Sequence, residues 1–280
     1  SELVDEVLFY STLERLAGGS EIQGVAPKAF EASATRLARS SALQSWLKAP
    51  DKALLEHYHL LLAAHLLDLA GQKMPGRDGA IEAAQRALGD SAFENPTVRL
   101  TVALLLQHLG ETPAVPVDRL LKASLSNYAA VLGASPRPGQ ALGMPPFQQT
   151  FGYYAIVHEV AALTDFGRLP PPAWLKERSA ALGRLLQEGA RRAMLTNCVD
   201  LLAELLLCNH MLGLPLNGPL RAGMNFLVEN QQADGSWGEQ NTSRVNPTRH
   251  AVQTATAALL AYREPPRRQA AMDTSSPLSP

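Results

Sequence analysis

The sequence is short of several things, and each shortage narrows what it can be. Among 280 residues there are only two cysteines, Cys198 and Cys208, ten positions apart in one apolar helical stretch. A disulfide across them would break that helix, so both are expected to stay reduced, as in a cytoplasmic protein. Charge of one sign is lacking too. Lys and Arg number 25 against 26 Asp and Glu. No global field therefore draws the chain to nucleic acid or to acidic lipid. No apolar run reaches the ~20 residues a membrane-spanning helix needs, and the opening residues SELVDEVLFY have neither the basic flank nor the apolar core of a signal peptide. Alternation of apolar and polar residues with period two is nearly absent, which excludes all but a few short strands. There is no glycine-rich phosphate loop, no Gly-x-Ser-x-Gly elbow and no Cys-x-x-Cys. ATP, NAD and iron–sulfur chemistry are thereby disfavoured.

What the sequence does contain is helical periodicity from end to end. Helices are predicted over about 2–17, 27–48, 52–70, 78–88, 95–109, 117–132, 148–163, 172–188, 193–212, 219–230 and 247–261. Gly18-Gly19-Ser20 and Gly71 are read as stops, and Asn95-Pro96, Asn217-Gly218-Pro219 and Asn246-Pro247 as starts. Short connections make successive helices antiparallel neighbours. The longest, from Gly133 to Phe147, is too rich in Pro and Gly to be helical and is expected either to lie over a functional mouth or to be a plain connector. One all-α domain over residues 1–262 is expected, followed by a tail over 263–280 whose composition is that of disorder. A chain this long buries roughly three quarters of its unfolded surface, so it needs no metal or disulfide to hold a core.

The segment Arg221 to Trp237 reads RAGMNFLVENQQADGSW. It resembles the QW motif of the terpene cyclase superfamily, through Arg221, Ala222, Phe226-Leu227, Gln231 and Gly235-Ser236-Trp237. Gln231 and Trp237 are read as fasteners between helical hairpins. The resemblance implies an α/α toroid of about 10–12 helices, in which inner and outer rings surround an axial cavity. It covers the last 45 ordered residues. That superfamily includes triterpene cyclases, prenyltransferase β subunits and, more distantly, lanthionine cyclases. Their catalytic motifs are not here. Neither Asp-x-Asp-Asp nor Asp-Asp-x-x-Asp occurs. The Asp-x-Cys pair of the prenyltransferase zinc site is reversed in Cys198-Val199-Asp200, with His250 downstream, and the lanthionine cyclase Cys-His-Gly is replaced by Cys208-Asn209-His210.

The polar constellation that remains is TNCVDLLAELLLCNHMLGL. Asp200, Glu204 and Cys208 are spaced four apart and share one face of a leucine-rich helix. That face is solvent-exposed, or ties down a neighbouring helix, or forms a ligand or catalytic site, since two carboxylates one turn apart in a closed site need a cation, an Arg, a His or a raised pKa. In FGYYAIVHEVAALTDFG, His158 sits one turn after Tyr154 and is either a hydrogen-bonded core residue or an acid–base partner of Asp200 and Glu204. Asp200, Glu204 and His250 are the candidate set for a divalent metal ion. Glu56 and His57 are placed at the cavity if their helix is an inner one.

The expected function is an enzyme of specialised biosynthesis that converts a small organic molecule by acid–base or metal-assisted chemistry in a central helical cavity, with His158, Asp200 and Glu204 catalytic. The rival is a non-catalytic scaffold that binds a peptide, a lipid-like molecule or a partner protein. An aromatic content of 6% is low for a cavity that stabilises carbocations, which counts against classical terpene cyclisation.

Overall fold

The computed structural model describes residues 2–16, 22–48, 52–90, 95–124, 146–233, 235–237 and 249–263; side chains are not described at 22–23, 146–151, 249–251 and 263. These residues form α1 (Glu2–Leu16), α2 (Ile22–Ala38), α3 (Ser41–Lys48), α4 (Leu54–Leu69), α5 (Arg77–Asp90), α6 (Pro96–His108) and α7 (117–124). They continue with α8 (Pro146–Leu163), α9 (Ala173–Glu177), α10 (Ser179–Leu195), α11 (Val199–Met211), α12 (Gly218–Glu229) and α13 (Arg249–Arg263). No strand occurs among the described residues, and the fold is all-α.

The packing closes on itself. α1 packs against α4, α4 against α6, α6 against α8, α8 against α11, α11 against α13, and α13 returns to α1. These six helices make an inner ring. Outside it, α2 covers α1 and α4, α5 covers α4 and α6, α10 covers α8 and α11, and α12 covers α11 and α13. Inner helices must bury both the side that meets the ring and the side that meets the cover, so they read as apolar nearly all round. α4, α6 and α11 do so, with Leu60, Leu61, Leu67, Leu100, Leu105, Leu202 and Leu205 essentially inaccessible. Each such leucine contributes about 1.5–3 kcal/mol.

The inner helices run in parallel, because like ends meet. At their C-terminal ends His65 of α4 reaches Asp165 just after α8, His108 of α6 reaches Ala162 of α8, and Asn209 of α11 reaches Tyr262 of α13. Four of these helices stop in the same way, on a residue in the left-handed region: Gly71, Gly110, Asp165 and Gly213. In each, the amide two residues past the cap bonds to the carbonyl five residues before it, as in Gln72 to Leu67 and Phe166 to Ala161. Three of the four are glycine, which meets no steric penalty there; Asp165, at φ 46°, is the exception.

Three boundaries differ from the sequence reading, one of them the break at Arg178 that divides the helix expected over 172–188 into α9 and α10. The helix expected over 27–48 begins at Ile22 and is split at residues 39–40, where the Ser40 hydroxyl accepts from the Leu43 amide at 3.4 Å and caps α3. The break expected near 189–192 lies at 196–198 instead, on Asn197 with φ 53°. Gly189 is a packing position rather than a stop: a Cβ there would stand 2.9 Å from Tyr153 Cδ1 and 3.0 Å from Leu205 Cδ1. The expected long connection falls mostly outside the described residues, α8 beginning at Pro146, and so do residues 264–280 of the expected tail.

The Arg221–Trp237 segment works as a fastener. Trp237 is 1% exposed and its indole N–H donates to the Leu227 carbonyl at 2.6 Å. The Gln231 side-chain amide donates to the Gly235 carbonyl at 3.1 Å, and Gly235 turns at φ 83°.

Candidate functional site

In a closed ring of six parallel helices, α4 stands opposite α11, and α1 opposite α8. Groups from the N-terminal halves of α1, α4 and α11 and from the middle of α8 lie at one level of the ring. Tyr154 of α8 donates a hydrogen bond from its hydroxyl to Asp200 Oδ2 of α11 at 3.0 Å, and the Cys198 sulfur lies 3.8 Å from the same hydroxyl. One turn deeper, His158 Nε2 stands 3.8 Å from Glu204 Oε2. Glu204 is buried, whereas the His158 side chain is 49% exposed. The rings of Tyr154 and His158 are 6.2 Å apart. α8 and α11 thus present two acid–partner pairs side by side, one turn apart, as the i, i+4 spacing of each helix requires.

The opposite wall is α4. Its Tyr58 and His59 rings meet edge to face at 5.1 Å, and Trp46 of α3 lies 5.8 Å from His59. Burial, then the charges of Glu204 and Asp5, push the Tyr58 phenol well above its ordinary range. Glu204 belongs to the helix across the ring, so this influence runs through the axis. His59 is lowered, first by burial, and among the charges acting on it are Asp5 of α1 and His158 of α8. Tyr154 is pushed far up, by burial first and then by Asp200, Cys198 and Glu204. Among the described residues the charges acting on Tyr58 and Tyr154 are acidic, and the Tyr58, His59 and Trp46 rings lie together on the α4 side.

The residues singled out in the sequence fall unequally. Asp200, Glu204 and His158 come together. His250 lies in the first turn of α13, at the same end of the ring, with its side chain outside the described part. Among the described residues no three His, Cys, Asp or Glu side chains are grouped to hold a metal ion. Cys208, on the Glu204 face, is fully buried, and burial with the Glu204 charge raises its thiol. Glu56 and His57 do not face the axis. Glu56 accepts from the Ala53 amide at 2.7 Å and caps α4. His57 is buried, and its imidazole is lowered by that burial and by Lys52, with Arg86 of the covering helix α5 adding to it. The axial positions on α4 are the next two, Tyr58 and His59. A run reading Glu-His-Tyr-His cannot reveal this by itself, because the rotation of the helix about its axis is set by what packs behind it.

The other end of the ring holds a second polar cluster. His65 Nε2 and Asp165 Oδ1 are 2.6 Å apart, both buried. His108 stacks 5.5 Å from His65, and Arg168 bonds to Ser11 of α1. Burial alone would raise the Asp165 carboxyl, but the His65 hydrogen bond and the nearby His65, His108 and Arg168 charges outweigh it and hold the carboxyl low. This cluster is enclosed and internally paired. A shallow surface depression of about 500 Å³ near Asp68, Met74 and Arg77 lies over the connection from α4 to α5, beside the C-terminal end of the ring.

Residues 3–263 match the family DUF6895, a domain of unknown function. No curated protein and no solved structure shows significant similarity to the chain. The match spans nearly the whole helical ring, and the chain belongs to the DUF6895 family.

Proposed function

We propose that this protein is an enzyme that takes a small organic molecule into the N-terminal mouth of its inner ring and converts it by acid–base chemistry. The observation that carries this reading is the pairing of His158 with Glu204 beside the pairing of Tyr154 with Asp200, on adjacent inner helices and facing an aromatic wall. His158 is the group that meets the ligand, because half of its side chain is accessible. Glu204, buried behind it, faces Nε2, orients the imidazole and stabilises its protonated form, so that the other ring nitrogen, Nδ1, can take up or release a proton. The 3.8 Å separation is long for a hydrogen bond, and such contacts commonly tighten when a ligand excludes water. Asp200 is held by the Tyr154 hydroxyl and acts as a second carboxylate toward the ligand. A divalent ion on Asp200, Glu204 and His250 would be the metal-assisted form of the same reading. The likeness of Arg221–Trp237 to terpene cyclases fits descent from that superfamily and a role in biosynthesis, and the reduced cysteines fit the cytoplasm.

The test is turnover. Purified protein, with and without added divalent metal, is incubated with fractionated metabolite pools and the mixture is followed by mass spectrometry. The expected result is consumption of a small molecule well beyond one equivalent of protein, abolished in His158→Ala and in Glu204→Gln, both still folded by circular dichroism. Capture of a peptide or protein partner in one-to-one amounts, with no molecule turned over, overturns the reading in favour of a non-catalytic scaffold.

A further inference from the structure

The turn after α8 holds the one run of left-handed backbone among the described residues. Asp165, Phe166 and Gly167 stand one after another at φ 46°, 53° and 83°. Glycine enters that region freely and aspartate on occasion, so Phe166 is the costly member. A conformation of this kind persists only where its surroundings hold it, and such segments gather at binding sites and switches. Part of the hold is local. The Phe166 amide donates to the Ala161 carbonyl at 2.6 Å, the Leu169 amide to the Thr164 carbonyl at 2.8 Å, and the Gly167 amide to the Thr164 hydroxyl at 3.1 Å. The rest comes from other inner helices. His65 of α4 meets Asp165 at 2.6 Å, His108 of α6 donates from Nε2 to the Ala162 carbonyl at 2.9 Å, and Arg168 bonds to Ser11 of α1. The Arg15 guanidinium of α1 lies so close over Gly167 that a Cβ there would stand 3.0 Å from it.

Two of the outside contacts are therefore made by imidazoles, and their rings are 5.5 Å apart. We propose that residues 164–169 form a pH-operated latch, which stays closed with one of His65 and His108 protonated and releases when both are. The latch is independent of the chemistry proposed for the mouth. The groups that face the turn are His65 from α4, His108 from α6, Arg15 from α1 and, on the turn itself, Asp165 and Arg168. Asp165 is the one acid in that set. The neighbouring acids turn elsewhere: Asp68, one turn past His65, and Glu111, three residues past His108, face Arg77 at 3.2 Å and 3.9 Å, and Arg77 donates to the Leu109 carbonyl at the end of α6. From α11, Met211 meets the Thr164 hydroxyl, and His210 lies against the Tyr262 ring, held toward its neutral form by burial and by the Arg15 charge. A first proton, on His65, is matched by Asp165, which the His65 bond and the charges around it keep ionised in mild acid against its burial. A second proton, on His108, meets an imidazolium 5.5 Å away with no second carboxylate in the set, and like charges repel strongly where water is scarce. The released turn lets both imidazoles take a proton and the closed turn only one, so falling pH favours release. Backbone strain acts in the same direction, because a freed Phe166 returns to the commoner regions at negative φ. The ends marked by Gly71, Gly110 and Gly213 each close on a single glycine and store no such strain.

Amide hydrogen exchange of the full chain, read by NMR and corrected for the intrinsic effect of pH, tests the latch. Between about pH 7.5 and about pH 5.5 the protection of the Phe166 and Leu169 amides should fall at least about tenfold, while the matching amides of Gln72 and Glu111 at the ends of α4 and α6 change by less than about threefold. His108→Gln keeps a side-chain donor for the Ala162 carbonyl and takes no proton, so its turn should stay protected at both pH values. Asp165→Asn keeps a polar side chain suited to the left-handed region and removes the negative charge. It should release at a pH about one unit or more higher than wild type and close again above it. Protection that does not change in the wild type, or that falls equally at Gln72 and Glu111, overturns the latch. A fall that persists undiminished in His108→Gln overturns it as well. If His108→Gln is already unprotected at neutral pH, Asp165→Asn decides, and its release at the wild-type pH or below it overturns the proposal.

Discussion

The two ends of the inner ring draw on the same residue types and use them in opposite ways. At the C-terminal end a histidine and an aspartate are 2.6 Å apart and buried, a second histidine lies against the first and donates to a backbone carbonyl, and an arginine is bound to a serine. At the N-terminal end a histidine and a glutamate stand 3.8 Å apart with the histidine half exposed, and an aspartate leans on a tyrosine hydroxyl. The first arrangement is what a buried ion pair needs in order to be tolerated, since desolvated charges must be closely matched and hydrogen-bonded. The second holds its described pair further apart and leaves the histidine half accessible. The same residue types are thus enclosed and closely paired at one end, and more loosely paired and partly accessible at the other.

The largest effect should come from breaking the closed end. Asp165→Ala leaves His65 buried without its partner and places a Cβ-bearing residue in the left-handed region without the bond that holds it there. A loss of about 3–5 kcal/mol is expected in urea unfolding. Asp165→Gly should lose less, by about 1 kcal/mol, because glycine matches the other three inner-helix ends in that conformation. Equal losses in the two variants would show that the backbone conformation contributes nothing. The pairing also sets a pH dependence. A carboxyl held below its unfolded value of about 3.9 stabilises the fold fully above that pH, and the contribution disappears as pH falls toward the lowered value. The stability difference between wild type and Asp165→Asn should therefore narrow in strong acid.

The open end has a fastener of a different kind. Trp237→Ala removes a fully buried indole and its bond to Leu227, and should cost about 3–5 kcal/mol. An unchanged melting temperature would show that the turn between α12 and α13 holds without it. A smaller, graded effect should appear in mild acid at both ends. Burial lowers His59 at the mouth and His210 at the closed end, where Arg15 adds to it. The unfolded chain then takes up protons first, so stability should fall as pH drops below about 6.5. Glutamine at either position should flatten that slope; an unaltered slope would assign it to other groups.

The smallest effect on stability is expected where the effect on function is greatest. Glu204→Gln keeps the shape of the side chain and relieves repulsion with Asp200. Its unfolding free energy should stay within about 0.5 kcal/mol of wild type while ligand binding is lost. A loss of several kcal/mol would instead make Glu204 a structural tie, like Asp165, and erase the contrast between the two ends.

Much of this could be read from the residues alone. The leucine-rich periodicity determined an all-helical chain of hairpins, the ring being what the resemblance of Arg221–Trp237 implied; Asn95-Pro96 marked a start that the structure keeps, with Asn95 accepting from the Thr97 amide at 2.9 Å, and Gly71 marked a stop. The four-residue spacing of Asp200 and Glu204 placed them on one face, because helix geometry is local and repeats every turn. Other features were invisible. Gly189 looks like a helix end and is a contact, since only the neighbouring Tyr153 and Leu205 make its missing side chain necessary. Asp165 looks like an ordinary loop residue, and its role depends on His65, one hundred positions away. His57 and Tyr58 are adjacent in sequence, yet one turns outward to α5 and the other inward to the axis. Sequence determined which segments are helices and which faces carry charge, because those follow from nearest neighbours along the chain. Tertiary structure alone decided which faces meet across the ring, which pairs are enclosed and which stay open, because burial and pairing arise only when the six helices close.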